Sequence, residues 1–158
     1  MLRDISLHIL DLAQNSITAG ASCIEIDLCC DIESKFFTMR IKDNGCGMTA
    51  EFLASVEDPF TTSRKTRKVG MGIPFFKLAC EQAGGEFSIK SVINEGTELS
   101  GSFEIDNIDR LPLGDVGDTT SFLISSAPMT RFLIKLASVN GEFEFDTDSV
   151  KEELGDVP

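Results

Sequence analysis

The sequence contains no tryptophan and no tyrosine, so its twelve phenylalanines must supply all of the aromatic packing. Basic residues are also few, fourteen against 26 acidic ones, and the net charge is −12. A surface of this charge repels the phosphates of nucleic acids and of anionic lipids. We therefore expect neither a nucleic acid nor a membrane among its partners.

Long apolar runs are missing, and no stretch approaches the ~20 residues of a membrane-spanning helix. The N-terminus carries Asp4 and His8 within its apolar pattern and lacks a small-residue cleavage site, which argues against a signal peptide. The five cysteines form no CxxC pair, a usage typical of reduced thiols rather than of disulfides or a zinc site. These features predict a cytoplasmic protein.

What remains is the composition of a globular domain, 42% hydrophobic and 25% charged over 158 residues. Apolar periodicity predicts helices over 4–18, 49–56, 70–83, 119–126 and 149–154. Alternation and turn signals predict strands over 22–31, 35–42, 87–92, 97–105, 131–137 and 142–146. Because residues 106–118 are rich in aspartate and glycine, we expect one domain over 1–106. A linker and a small C-terminal α/β appendage, packed on or beside that domain, then fill 107–158.

Two polar residues on the first predicted helix, Asp11 and Asn15, are four positions apart and therefore project from one face. The amide oxygen of Asn15 suits a hard cation such as Mg²⁺, which keeps several waters and bridges phosphates. A carboxylate at Asp11 could orient or deprotonate an attacking group. The alternative is a helix face that exposes ordinary polar residues.

A glycine-containing turn, Asp43-Asn44-Gly45-Cys46-Gly47, follows the second predicted strand. A buried carboxylate at Asp43 would accept a hydrogen bond from an exocyclic amine such as that of adenine, and glycines let the backbone pass close to a flat base. The alternative is a plain Asx turn.

A second glycine pair, Gly70 and Gly72, opens the third predicted helix. Amides at a helix start can point at phosphate oxygens, where the helix dipole assists them. The basic run from Arg64 to Lys68 comes just before and would close over a polyphosphate. The alternatives are a flexible helix entry and a solvated charged surface.

Taken together, these segments resemble the ATP-binding domain of the GHKL superfamily, the histidine kinase-like ATPases (HATPase_c). LDLAQNSITAGAS is similar to its N box, DNGCGM to its G1 box and VGMGIP to its G2 box. The resemblance covers roughly residues 4–105. It implies a Bergerat-type α/β (α+β) two-layer sandwich, a mixed and mostly antiparallel sheet covered on one face by three helices.

The resemblance also implies ATP and Mg²⁺ as ligands. Asn15 would bind the metal, Asp43 the adenine amine, and Asp11 would be the catalytic residue. The implied ATP-binding residues are Asn15, Asp43, Gly45, Gly47, Met48, Lys65, Lys68, Gly70, Met71, Gly72 and Thr97.

Residues 58–105 look like the catalytic domain of nitrogen-sensor-type histidine kinases. The full chain is similar to small stand-alone ATP-binding proteins of anaerobic bacteria, often encoded beside iron-only hydrogenases, which implies a regulatory or maturation role. The chain departs from the family at two places. The G2 box VGMGIP, which the resemblance assigns to the ATP lid, lacks a second glycine pair, and Asp11 stands where gyrase-type ATPases place a glutamate.

Three hypotheses of function follow from the resemblance. The first is a Mg·ATP-binding signalling module that phosphorylates or switches a separate protein, because only three residues precede Asp4 and no histidine-bearing hairpin is seen. The second is a slow ATPase whose lid closure controls assembly. The third is a non-catalytic nucleotide sensor. The C-terminal segment favours contact with a dedicated protein partner or a homodimer.

Overall fold

The computed structural model describes residues 3–56 and 72–154. Its helices are α1 (Ile5–Thr18), α2 (Ala50–Val56), α3 (Gly72–Gln82), α4 (Val116–Ser126) and α5 (Thr147–Leu154). Its strands are β1 (Cys23–Asp31), β2 (Phe36–Asp43), β3 (Phe87–Val92), β4 (Gly96–Glu104), β5 (Arg131–Ser138) and β6 (Gly141–Asp146). Each helix and strand predicted from the sequence is present, with ends shifted by up to three residues.

The six strands form a single sheet in the order β3-β4-β2-β1-β5-β6. Every neighbouring pair is antiparallel except β1 and β5, which run parallel. The predicted α+β sandwich with a mixed, mostly antiparallel sheet is therefore confirmed.

The apolar core lies on one face of this sheet. Ile24, Ile26 and Leu28 alternate with polar residues along β1, and the register sets Ile41 beside Ile26 and Met39 beside Leu28. A run of alternating residues places one apolar row on one face of a sheet. Buried residues of the first four helices cover that row: Ile5, Ile9, Leu12, Ala13, Val56, Ile73, Phe76, Ala79, Cys80 and Leu123.

Phenylalanine does supply the aromatic packing. The Phe76 ring of α3 lies edge-on to Phe87 and to Phe103, with 5.9 Å between ring centroids in each case. Edge-to-face pairs of this kind add about 0.5–1.5 kcal/mol beyond their buried area. Through them α3 is held against β3 and β4.

The opposite face of the sheet is polar. Arg40, on β2, pairs with Asp27 on β1 and with Glu98 on β4, the latter at 3.2 Å, and Glu25 lies 3.8 Å away. Because charges occupy this face and apolar residues the other, a one-residue slip of β2 would bury its charges. This contrast fixes the register on which the site described below depends.

The residues after β4 return to the start of α1. Ile5 donates its amide to the Pro112 carbonyl and Ser6 donates to that of Leu113, each at 2.9 Å. Asp4 caps the helix by accepting from the Leu7 amide at 2.9 Å. Although Ile108 is 97% exposed, the segment is hydrogen-bonded to the chain where it meets α1.

No helix in the two described ranges is both long and apolar enough to span a membrane.

His8 lies within the apolar pattern of α1, and the structure buries it completely. Its ring lies 5.6 Å from that of Phe76, and neither ring nitrogen has a hydrogen-bond partner among the described residues. Burial disfavours the charged imidazole and lowers its pKa from 6.5 to about 4, although the nearby Asp4 carboxylate works in the opposite direction. His8 is thus a neutral packing residue.

His8 is expected to make the protein sensitive to acid. Its folded pKa is below its unfolded pKa, so between pH 6.5 and pH 4 the unfolded chain binds a proton that the folded chain rejects. At pH 4.5 this lowers the free energy of unfolding by roughly 2 to 3 kcal/mol relative to pH 7.5. Urea unfolding of the wild type and of His8→Leu at both pH values measures it. Equal losses in the two proteins would contradict this assignment.

Candidate functional site

A cleft of about 490 Å³ opens between α1 and the ends of β2 and β4. Its walls are mostly apolar, and Asp43 is the only charged residue among the described residues that line it. The lining residues are Leu12, Asn15, Ser16, Thr18, Ala19, Ile41, Asp43, Cys46, Gly47, Met48, Thr49, Phe52, Ile73, Ile93, Thr97 and Leu99. Apolar walls around a few polar groups are the usual composition of a small-molecule site.

Asp43 stands at the end of β2 on the helix-covered face and is held by two hydrogen bonds. The Ser16 hydroxyl of α1 donates to Oδ2 at 2.6 Å, and the Gly45 amide donates to Oδ1 at 2.9 Å. A carboxylate oxygen has further lone pairs after one bond. Asp43 can therefore still accept from a ligand in the cleft.

The turn after Asp43 is fastened on both sides. The Asn44 side chain accepts from the Ser22 and Cys23 amides at 2.9 and 3.0 Å. The Cys46 amide donates to the Ala19 carbonyl at 3.0 Å. The bond from the Gly45 amide to Asp43 is the Asx turn that the sequence left as the alternative, and the same turn forms one wall of the cleft.

Two glycines in this turn are required by space. A Cβ at Gly45 would lie 2.9 Å from the Cβ and the carbonyl oxygen of Ala19. Gly47 has φ +69, and a Cβ there would collide with the carbonyl of Val92. The glycines let the turn pass between the end of α1 and the β3–β4 connection.

Thr97 lies directly across from Asp43 in the register of β2 and β4. Its hydroxyl is 2.8 Å from that of Ser91 on β3, and the Ser91 oxygen also accepts from the Met48 amide at 2.8 Å. Ser91 thus connects the floor of the cleft to the glycine turn.

Asn15 lines the cleft from α1. Its amide nitrogen is buried and has no hydrogen-bond partner among residues 3–56 and 72–154. An unsatisfied buried amide is costly in a folded protein, and a ligand in the cleft would satisfy it. Its side-chain oxygen is a ligand of the kind that coordinates Mg²⁺. This ion usually takes one or two protein ligands, and phosphates and waters complete its coordination shell. Asn15 therefore fits a metal held mainly by a bound phosphate group.

Asp11 does not line this cleft. It borders a neighbouring depression of about 460 Å³ together with Leu7, Leu10, Gln14, Gly72, Phe75 and Phe122. The apolar neighbours make its charged form less favourable and raise the pKa of its carboxyl. A Cβ at Gly72 would collide with its Oδ2 oxygen, so the missing side chain lets α3 begin against the carboxylate.

Residues 3–107 match the sequence profile of the histidine kinase-, DNA gyrase B- and HSP90-like ATPases. The match covers about two thirds of the chain. This chain belongs to that family.

Several sensor proteins resemble this ATPase domain in sequence. A putative sensor protein of Shewanella frigidimarina is 27% identical over 99 residues, 62% of this chain and 15% of that protein. Sensor protein SrrB of Staphylococcus aureus is 32% identical over 78 residues, 46% of this chain and 13% of that protein. The chain therefore spans about one seventh of the length of these relatives.

Solved structures share the fold. The Aquifex aeolicus MutL ATPase domain complexed with ADP superposes with a TM-score of 0.54 at 16% identity, covering 98% of this chain and 68% of that one. The N-terminal domain of a DNA repair protein gives a TM-score of 0.52 at 14% identity, covering 92% of this chain and 52% of that one.

Most of the described residues that the family resemblance implicated meet at one place. Asn15, Asp43, Gly47, Met48 and Thr97 line the cleft, with Gly45 buried beside it. Gly72 and Asp11 meet in the adjoining depression. Lys65, Lys68, Gly70 and Met71 lie outside the described residues.

Two residues that hold the site together by hydrogen bonds were not predicted from the sequence. Ser16 follows Asn15 directly but has no feature of its own that points to Asp43, which is 27 residues away. Ser91 lies on the same core-facing side of β3 as Phe87 and Ile89, and this placement was its only signal.

Proposed function

We propose that this domain binds Mg·ATP and uses it to phosphorylate or switch a separate protein. The observation that carries the proposal is the fixed carboxylate of Asp43, the one charged group among the described lining residues of an otherwise apolar cleft. A flat base can insert between such walls and offer its exocyclic amine to that carboxylate.

Discrimination between bases follows from this chemistry. Asp43 accepts the bonds from Ser16 and Gly45 as a carboxylate. Toward the cleft it can therefore only accept a further hydrogen bond and cannot donate one. Adenine has an amine where guanine has a carbonyl, and two acceptors facing each other repel. We therefore assign ATP, rather than GTP, to the cleft.

Asn15 is assigned to the metal that accompanies the triphosphate. It lines the cleft from α1, on the next helical turn after Asp11. The metal would neutralise charge on the phosphates during transfer. Asn15 would hold it in place relative to α1, and so relative to Asp11.

Action on a separate protein is supported by the burial of His8. It is the chain's single histidine, and none of its side chain is exposed. In-line transfer requires an acceptor aligned within about 3–3.5 Å, which a residue inside the core does not reach. We place the contact with the acceptor protein beside Asp11 and on the elements within 107–158, where α4 packs against α1.

Asp11 is the group we assign to the chemical step. Its raised pKa makes it a stronger base than an ordinary aspartate. It would take the proton of an attacking hydroxyl or imidazole from the acceptor protein. The second candidate function, a slow ATPase, needs the same carboxylate to take a proton from water instead.

The surroundings of the domain are part of the proposal. All five cysteines are free thiols, which supports a reducing compartment such as the cytoplasm. The net charge of −12 supports a protein partner over a nucleic acid.

Asp43→Asn is expected to weaken ATP binding about ten- to a hundredfold, the loss of one charge-assisted hydrogen bond worth ~1.5–3 kcal/mol. An asparagine can still accept from Gly45 and donate to Ser16, so the fold should persist. Isothermal calorimetry measures the affinity, and Asp109→Asn, an exposed aspartate away from the cleft, is the matched control. Unchanged affinity in Asp43→Asn would show that the base lies elsewhere.

Asn15→Ala is expected to weaken binding of Mg·ATP by about tenfold, which corresponds to ~1.4 kcal/mol, while binding of ATP in EDTA changes little. The reason is that the lost group contacts the metal rather than the nucleotide. Gln14→Ala, the neighbouring position facing the adjoining depression, is the control. Equal losses with and without Mg²⁺ would remove Asn15 from the metal site.

Asp11→Asn is expected to keep ATP affinity and to lower phosphate transfer or release by about 10²–10⁴-fold, the usual contribution of a general base. The assay follows γ-labelled ATP in the purified protein, alone and with fractionated protein substrates. Label moving to a second protein favours the kinase, and label released only to water favours the ATPase. An active Asp11→Asn variant would rule out this carboxylate as the base.

A further inference from the structure

Ser91 lies on β3, where it pairs with Thr97 of β4 on the side away from the cleft. It is not among the described residues that line the cleft. Its hydroxyl oxygen meets three polar atoms. The Met48 amide nitrogen and the Thr97 hydroxyl oxygen are each 2.8 Å away, and the Gly96 carbonyl oxygen is 3.1 Å away. A single side chain therefore joins β3, β4 and the glycine turn.

The chemistry of these three neighbours fixes the direction of each bond. An amide can only donate, so Ser91 accepts from Met48. A carbonyl can only accept, so the bond to Gly96 uses the single proton of Ser91. The remaining contact is then a bond in which Thr97 donates and Ser91 accepts with its second lone pair.

This arrangement leaves the Thr97 hydroxyl without a proton for the cleft. Its own proton points back to Ser91, and only lone pairs remain toward a ligand. Thr97 is paired with Asp43 across β2 and β4, and both line the cleft. The floor of the cleft thus presents two neighbouring acceptors, a carboxylate and a hydroxyl.

We infer that Ser91 is a positioning residue that fixes Thr97 as an acceptor and thereby makes the cleft select a base with an exocyclic amine. The inference rests on the proposed binding of ATP and adds the group that sets its selectivity. An amine has two protons, one for Asp43 and one for Thr97. A base with a carbonyl at the same position turns an acceptor toward these two acceptors, and only its N1–H is left to donate to one of them.

Without Ser91, Thr97 is free to turn its proton toward the ligand. It can then donate to a carbonyl, so discrimination should fall even though Thr97 and Asp43 are both intact. A purely structural role for Ser91 would weaken binding of both kinds of base equally.

The test compares ATP with inosine triphosphate, whose base has a carbonyl in place of the amine, a proton on N1 and no other exocyclic group. Calorimetry on the full chain gives the affinity ratio for wild type, Ser91→Ala, Ser91→Thr and Ser88→Ala. Ser88 lies on the same strand with its side chain on the exposed face. Thermal melts show whether each variant folds.

In Ser91→Ala the preference for ATP is expected to fall about three- to tenfold, the equivalent of one neutral hydrogen bond. Ser91→Thr should restore it, and Ser88→Ala should match the wild type. In a Thr97→Val background Ser91→Ala should change the ratio no further, because the group it orients is gone.

Two results would overturn the inference alone. One is an unchanged ATP preference in a folded Ser91→Ala that still binds ATP. The other is the same loss of preference in the Thr97→Val background, which would show that Ser91 acts through the Met48 turn instead. A wild-type protein that binds neither nucleotide would overturn the proposed function, and this inference with it.

Discussion

The anchoring of Asp43 is the constraint on which the site depends. Its carboxylate receives one bond from α1 through Ser16 and one from the turn through Gly45. Because α1 is distant in sequence from β2 and from the turn that follows it, these two bonds hold separate parts of the chain in one arrangement. Removing either donor would leave a partly buried carboxylate short of a partner, which costs more than the bond itself contributes.

The register of the sheet decides what stands next to that carboxylate. Core residues such as Ile41 and Leu99 face the helices, and Arg40 and Glu98 face away. Because this alternation continues to the strand ends, Asp43 and Thr97 must emerge together on the helix side. The same pattern that buries the core therefore places two polar groups at its margin.

Helix α1 serves the core and two surfaces at once. Leu12 is buried, Asn15 faces the cleft, and Asp11 faces the adjoining depression. Residues four apart lie on one face of a helix, and on that ground the sequence predicted Asp11 and Asn15 together. They are neighbours along the helix, but α3 begins at Gly72 against Asp11 and puts the two in different hollows. A prediction based on the spacing within α1 alone could not include the contact of α3 with Asp11.

Local features were predictable because their causes are local. Alternation along β1 and the glycine-containing turn after β2 depend on adjacent residues, and each is visible in the sequence. The family boxes gave Asn15 and Asp43 their assigned roles by resemblance. Ser16 and Ser91 were not predictable in this way, because a serine acquires its role only from partners that the fold brings near. His8 is the intermediate case: the sequence places it on the first helix, while its burial depends on Phe76 of α3.

The apolar walls of the cleft give its few polar groups their influence. Hydrogen bonds and charges act more strongly where water is excluded, and an unmatched polar group there is correspondingly more costly. Asp43 is the only charge among the described lining residues, so a mismatched ligand finds no cation among those residues to offset it. Selectivity then depends on the direction of individual protons, such as that of Thr97. A hydroxyl can point either way, so the residue behind it, Ser91, decides what the cleft recognises.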